Sequence, residues 1–186
     1  MSIAPDTDTT TTTTTDLKTL IAETQAAFRA DPDKAKATFA SASGLIEGFQ
    51  TKARLRDHEI TIDEPEALGG TDTGPNPVEL ILAALGTCQE ITYRAYATAL
   101  DIPLEDVRVE LEGDIDLRGF FAVDDTVRPG YNGIRGIVHL TTSATPEQIA
   151  TLRRVVNGHC PVLDILTKPV PTELTVVFKT QNAAAA

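Results

Sequence analysis

Clustered cysteines and histidines are missing from this chain, and their absence limits the sites it can build. The two cysteines, Cys88 and Cys160, lie far apart, and the three histidines are scattered. No CxxC or HxxxH spacing results, so we expect no zinc or other metal site. In a reducing cytosol, two separated cysteines are more often free thiols or a transient redox pair than a structural disulfide.

Positive charge and long apolar runs are also scarce. The chain has 16 Lys and Arg against 27 Asp and Glu, a formal net charge of −11, which nucleic acids and anionic membranes would repel. The longest unbroken apolar run, residues 80–85, is far shorter than the ~20 residues of a membrane-spanning helix. The first residues show neither the basic start nor the apolar region of a secretory signal. We therefore expect a cytoplasmic protein that binds neither nucleic acid nor membrane.

What remains is a globular composition, with 41% hydrophobic residues in a chain of 186. This length predicts one domain with a real core. A Thr-rich segment, residues 1–15, predicts a disordered tail, and residues 16–36 predict a helical extension that Asp16 caps and that stops before Pro32. The main domain is expected over residues 37–180, followed by a short tail over residues 181–186.

The first half of this domain predicts a β-meander followed by a buried helix. Residues 34–63 alternate and carry turn signals at Gly44, Gly48 and residues 56–58. A long loop over residues 64–76 follows, with Asn76 and Pro77 suited to the cap and first position of a helix. Asp101 and Pro103 would end that helix.

The second half predicts two strands, two helices and a last strand. The strands fall in residues 105–120 and 131–144. A helix begins at the Thr145 cap, runs to Val156 and ends at Asn157-Gly158. A short helix over residues 161–166 and a final strand over residues 172–180 complete the chain. Because strands and helices are grouped instead of alternating, the pattern favours an α+β fold.

The helix after Pro77 is apolar on nearly every side over residues 80–85. Such a helix cannot lie on one sheet face and leave its back in water. A second subunit is the simplest cover, so we expect a homodimer with the Cys88 helix near its interface.

Two interpretations of the cysteines follow from the residues alone. A break at Gly86 would make Thr87 the cap of a new helix, with Thr87-Cys88-Gln89-Glu90 as a capping box and Cys88 in its first turn. Backbone N–H groups there favour thiolate, whereas the Glu90 carboxylate opposes it and a continuous helix would remove the effect. Cys160 precedes Pro161, next to His159, and can cap the short helix. The alternative is two ordinary core cysteines, which from spacing alone is the commoner arrangement.

Two sequence blocks resemble the OsmC/Ohr family of osmotically induced and organic hydroperoxide resistance proteins. The blocks are "DEPEALGGTDTGPNPVELILAALGTC" and "CPVLDIL", with a β region between them, and the resemblance covers about residues 37–179. It implies an α+β fold in which β-sheets wrap around a long buried central helix, in an intertwined homodimer. It also implies a thiol peroxidase in which Cys88 attacks the peroxide and Cys160 resolves the product to a disulfide. An external dithiol would restore the pair, with no metal or organic cofactor.

The resemblance also points to a glutamate and an arginine near the first cysteine. Val78 stands where the family has its glutamate, and Glu79 follows one residue later, so Glu79 is the third candidate catalytic residue. The hairpin expected to supply the arginine reads "SGLIEG" and has none. Arg54 and Arg56 on the next strand are either its substitutes or solvent-facing strand charges.

Three functions are compatible with this sequence. The leading one is a cysteine-based peroxidase that reduces organic hydroperoxides or hydrogen peroxide. The second is a non-catalytic OsmC-like dimer that binds a small apolar ligand in its inter-subunit pocket. The third is a thiol redox sensor that reports to a partner protein.

Overall fold

A computed structural model describes residues 14–179 of the chain, as five α-helices and five β-strands. In chain order they are α1 (Thr14–Ala30), β1 (Ala42–Glu47), β2 (Gln50–Leu55), β3 (His58–Ile62), α2 (Pro77–Ala99), β4 (Asp106–Ile115), α3 (Leu117–Phe120), β5 (Tyr131–Thr141), α4 (Pro146–His159) and α5 (Pro161–Thr167). Short 3-10 helices span Pro32–Ala35 and Glu66–Leu68. The grouping of strands and helices confirms the predicted α+β class.

The N-terminal helix α1 packs against α2, and Lys18 pairs with Asp101 at the far end of α2. It begins at Thr14, two residues before the expected Asp16 cap, and ends before Pro32 as predicted. Most of the predicted Thr-rich tail and all of the predicted C-terminal tail lie outside the described residues. In the described part of the chain, no helix has the length and apolar character needed to cross a membrane.

The first three strands form the predicted antiparallel meander, in the order β1-β2-β3. Its two turns lie at Gly48 and Arg56, both with positive φ, as the turn signals predicted. Gly44 is not a turn, because it lies inside β1 and pairs with Lys52. Every residue of β1 is exposed, so this strand contributes nothing to the core of a single chain.

The second sheet is the β4–β5 hairpin, whose inner face packs on α2. Burial alternates along β4, and this period of two places Val107, Val109 and Leu111 on the side facing the helix. The strand predicted over residues 105–120 ends at Ile115. The Asp116 side chain accepts a hydrogen bond from the Arg118 backbone N–H, which starts the short helix α3 instead.

The long helix α2 begins as predicted and does not break. Asn76 and Glu79 form a capping box: Asn76 Oδ1 accepts from the Glu79 N–H at 2.9 Å, and Glu79 Oε2 accepts from the Asn76 N–H at 2.8 Å. The predicted break at Gly86 is wrong. Gly86 is buried against β4, where a methyl group would lie 3.7 Å from Leu111. Thr87 Oγ1 donates to the Ala83 carbonyl one turn earlier and so caps nothing.

Packing of α4 against α2 forms the core. Tyr93, Ala97, Ile102, Leu152 and Val156 make one buried cluster. The start of α4 at the Thr145 cap is confirmed, with a capping box to Gln148. Its end was predicted too early: α4 includes Asn157 and Gly158 and stops at His159, because Pro161 begins a new helix immediately afterwards.

The predicted final strand is wrong for the part that the structure describes. Residues 172–179 form no regular element, because a strand needs a neighbouring strand and this segment pairs with none among the described residues 14–179. Its apolar side chains are almost fully exposed, from 80% for Phe178 to 89% for Leu174. The residue pattern of this segment is typical of a strand, but no described strand pairs with it.

Asp63 organises the long loop that leads into α2. Its buried carboxylate accepts five hydrogen bonds, from the backbone N–H groups of Glu64, Thr71 and Thr73 and from the hydroxyls of Thr71 and Thr73. The Thr71 hydroxyl is the largest of the causes that hold the pKa of Asp63 far below its ordinary value, and burial opposes it. The loop is therefore folded around one ionised carboxylate.

We predict that Asp63→Asn lowers the urea midpoint of unfolding, because an amide nitrogen cannot accept these donors. A carboxyl whose pKa is depressed in the folded state stabilises the fold above its unfolded pKa of about 3.9, and that stability is lost as the pH falls through the folded value. The difference between variant and wild type should therefore be full at pH 7 and shrink below pH 4. Asp72→Asn, an exposed change in the same loop, is the control; equal midpoints for the two variants would contradict the role of Asp63.

Candidate active site

Two free thiols meet where α2 passes the junction of α4 and α5. Cys160 Sγ lies 3.3 Å from Cys88 Sγ, across 72 residues of sequence. Both cysteines are unbridged. At this separation a small side-chain movement would bring the two sulfurs to disulfide bonding distance.

The junction that holds Cys160 is built from two helix ends. Cys160 is at once the C-cap of α4, through its N–H to the Val156 carbonyl, and the N-cap of α5. Pro161 takes the first position of α5, where its missing N–H costs no hydrogen bond. The predicted position of Cys160 as a helix cap is confirmed, although its side chain caps no N–H group.

Cys88 lies in the middle of α2, yet it contacts the start of another helix. The backbone N–H of Val162, in the first turn of α5, lies near the Cys88 sulfur and acts to lower the pKa of the thiol. The hypothesis that Cys88 lies in the first turn of its own helix is wrong, because α2 continues through Gly86 and Cys88; the helix start near its thiol is that of α5. No local pattern in the sequence points to Val162, because the contact depends on tertiary packing.

Burial decides the protonation of Cys88. It is the largest cause and raises the pKa of the thiol above its ordinary value; the nearby Cys160 thiol raises it further. The Val162 N–H and the Thr92 hydroxyl act in the opposite direction but do not cancel these effects. The thiol form therefore dominates at neutral pH in a single chain.

Accessibility distinguishes the two thiols. Cys160 is 1% exposed, whereas Cys88 is only partly buried. A small molecule that approaches from solvent reaches Cys88 first.

Glu79, the third candidate, lies apart from the thiols. Its carboxylate caps α2 through the Asn76 N–H. Nine helical residues separate it from Cys88, roughly 180° around the axis and about 13 Å along it. Glu90, expected to oppose the thiolate, instead accepts a hydrogen bond from the Val109 N–H of β4.

Neither arginine candidate acts on Cys88 within one chain. Arg54 lies in β2, paired with Ala42 and Glu59, and Arg56 forms the β2–β3 turn. The groups that shift the pKa of Cys88 include no arginine.

His159, next to Cys160, is exposed. Its ring lies 5.2 Å from that of Tyr96, and its Nδ1 bonds to the Val155 carbonyl. Among the side chains of residues 17–179, no three from His, Cys, Asp or Glu are grouped to hold a metal ion. The expectation of a site without metal or cofactor stays a prediction.

Comparison with known protein families gives one match. A family model described as OsmC-like protein matches residues 70–175, a span that contains both cysteines, the capped start of α2 and the β4–β5 hairpin. A comparison with curated protein sequences finds no match.

Solved structures share the fold at low sequence identity. An OsmC-like protein from Mycoplasma pneumoniae superposes with a TM-score of 0.62 at 18% identity, covering 72% of this chain and 90% of that one. An organic hydroperoxide resistance protein OsmC from Legionella pneumophila gives 0.55 at 22%, covering 70% and 91%. An organic hydroperoxide resistance protein from Elizabethkingia anophelis gives 0.52 at 18%, covering 69% and 87%. These similarities establish the fold.

We predict that Cys88 reacts slowly with iodoacetamide at pH 7 and faster as the pH rises past the ordinary thiol pKa of about 8.5, because burial disfavours its thiolate. Peptide mass spectrometry would follow the alkylation of Cys88 across pH 6–11. The same peptide in urea-unfolded protein is the control and should titrate as an ordinary thiol. A rate that is already maximal at pH 7 would contradict a raised pKa in the protein as it assembles in solution, and would instead indicate a positive group from a second subunit near Cys88.

Proposed function

Because the chain belongs to the OsmC-like protein family, we propose that it is a cysteine-based thiol peroxidase that reduces organic hydroperoxides or hydrogen peroxide. Cys88 attacks the peroxide and Cys160 resolves the product. The observation that carries this proposal is the 3.3 Å contact between the two thiol sulfurs. Similar folds in proteins named for organic hydroperoxide resistance support a peroxide-related role.

The order of the two thiols follows from their surroundings. Cys88 is the more accessible sulfur, and the nearby Val162 N–H acts to lower the pKa of its thiol, which favours the thiolate. Cys160 is enclosed and so meets the oxidised form of Cys88 and not the peroxide itself.

The cycle has three balanced steps. The Cys88 thiolate attacks the outer peroxide oxygen, the O–O bond breaks, and the alkoxide takes a proton and leaves as the alcohol, or as water from hydrogen peroxide. Cys160 then attacks the sulfenic sulfur, a disulfide forms and water leaves. An external dithiol reduces this disulfide by exchange and becomes oxidised itself. The need for that reductant fits a reducing compartment such as the cytoplasm.

A positive group is the element that the described side chains of one chain, residues 17–179, do not supply to Cys88. It would lower the pKa of the thiol and stabilise the departing oxygen. Arg54 and Arg56 stay candidates only through a contact between subunits. A catalytic role for Glu79 also stays a prediction, since within one chain its carboxylate caps α2.

A homodimer is part of the proposal. Buried residues of α2 lie on the side facing β4 and α4, whereas Ile81 is 40% exposed and Ile91 70% exposed. The unpaired apolar segment at residues 172–179 and the exposed strand β1 are further surfaces that a second subunit would cover.

A non-catalytic dimer with a small apolar ligand is the second candidate. The raised pKa of Cys88 favours it, because burial alone gives a poorly reactive thiol. Variants of the two cysteines distinguish this candidate from the peroxidase.

We predict that Cys88→Ser abolishes dithiol-dependent consumption of cumene hydroperoxide, because no thiolate remains to attack the O–O bond. Cys160→Ser should still consume about one equivalent and accumulate a sulfenic acid at Cys88, detectable as a dimedone adduct by mass spectrometry. Thr87→Ala, at an exposed neighbouring position, is the control and should keep wild-type turnover. Consumption by Cys88→Ser at the wild-type rate would overturn the peroxidase and favour the ligand-binding dimer.

We predict that the chain is a dimer of about twice its 19.9 kDa mass and that Val176→Asp weakens it. A charge in the exposed apolar segment would have to be desolvated on association. Light scattering coupled to gel filtration at several protein concentrations would measure this. Thr172→Asp adds the same charge at the polar start of the segment and should leave the mass unchanged; a monomeric wild type would contradict the dimer.

A further inference from the structure

A second site lies on the side of α2 that faces the β4–β5 hairpin. Between α2, the hairpin and α4 is a cavity of about 480 Å³, which Leu163 of α5 also lines. This volume is in the range of small-molecule sites. Neither cysteine lines the cavity, so it is distinct from the thiol pair.

Apolar side chains make up most of the cavity wall, and two buried polar groups interrupt it. Gln89 is 6% exposed and Tyr93 is 3% exposed, and both line the cavity. Neither side chain takes part in a hydrogen bond with any residue that the structure describes. No fully enclosed polar side-chain atom in the described chain lacks a partner, so the amide and the hydroxyl each keep some solvent access, and both residues line the cavity.

The charge at the cavity is positive. Arg153 lines it from α4, with Asn157 one turn further along the same helix. Arg153 is exposed, and none of the ion pairs among the side chains of residues 17–179 involves it. The described lining residues include no carboxylate. Burial raises the pKa of Tyr93, an effect that Arg153 partly opposes, so the hydroxyl is a neutral hydrogen-bond donor at neutral pH.

We propose that this cavity binds a small organic carboxylate with an apolar body, whose carboxylate pairs with Arg153 while its apolar body lies against the inner face of the hairpin. Gln89, Tyr93 and Asn157 provide additional hydrogen-bond donors around the anion. A single planar guanidinium matches the charge and the two oxygens of a carboxylate. An apolar side chain from another subunit would fill the cavity but leave these polar groups unpaired, which costs free energy.

This site does not depend on peroxide chemistry. Its ligand needs no O–O bond, and the residues that hold it are not the thiols. Binding of an unreactive carboxylate therefore tests the site even if the chain has no peroxidase activity.

Isothermal titration calorimetry with octanoate on the full chain tests the proposal. We expect saturable binding with one ligand per chain, and at least tenfold weaker binding for 1-octanol, which lacks the charge, and for acetate, which lacks the apolar body. Arg153→Gln should weaken octanoate binding about tenfold or more. Gln89→Leu, which keeps the volume and removes the amide, should weaken it less.

Arg154→Gln is the matched control, because it removes the same charge from the next position of α4; both arginines are exposed, but only Arg153 lines the cavity. It should leave octanoate affinity within about twofold of wild type. Absence of octanoate binding, equal affinity for octanol, or equal losses in the Arg153 and Arg154 variants would each overturn the proposal. Circular dichroism melting of every variant would show that lost binding is not lost folding.

Discussion

The packing of α4 against α2 determines where the two thiols meet. Leu152 and Val156 are among the most deeply enclosed apolar side chains of the described residues, and they lie against Tyr93 and Ala97 of α2. Because α4 ends at Cys160 and α5 begins there, fixing α4 on the long helix also fixes the second thiol beside the first. The site is thus a consequence of core packing, and its sulfurs need no loop to bring them together.

The same packing also opposes the ionisation of Cys88. A thiol that packs against the core loses solvation, which disfavours its thiolate form. The Val162 N–H offsets only part of this rise in the pKa of Cys88. The proposed peroxidase chemistry needs the thiolate. A single chain therefore holds the pair in the right place without fully activating it. Exposed apolar surface on α2, β1 and residues 172–179 is the physical reason to expect that the working unit contains more than one chain.

Local sequence signals predicted what is locally determined. The caps at Asn76 and Thr145 were readable because one side chain and its third neighbour are enough to start a helix. Gly86 suggested a helix break because glycine has a low helix propensity. The burial that offsets this low propensity comes from β4, which is distant in sequence. The prediction of the last strand was wrong for a related reason. Alternating apolar and polar residues show that a segment can pair in a sheet, but they do not show which strand it pairs with. Resemblance identified the two thiols as a pair, whereas the Val162 contact and the Arg153 cavity depend on tertiary structure that no short motif encodes.

The distance in sequence between the two thiols has a thermodynamic consequence for their redox states. A disulfide between Cys88 and Cys160 would close a loop across 72 residues, and in the chain-entropy description a loop of this length removes enough freedom from the unfolded chain to stabilise the fold by about 4 kcal/mol. By thermodynamic linkage, a disulfide that stabilises the folded state is harder to reduce in the folded chain than in the unfolded chain. In the proposed cycle, any reductant that restored the thiols would therefore have to work against the fold.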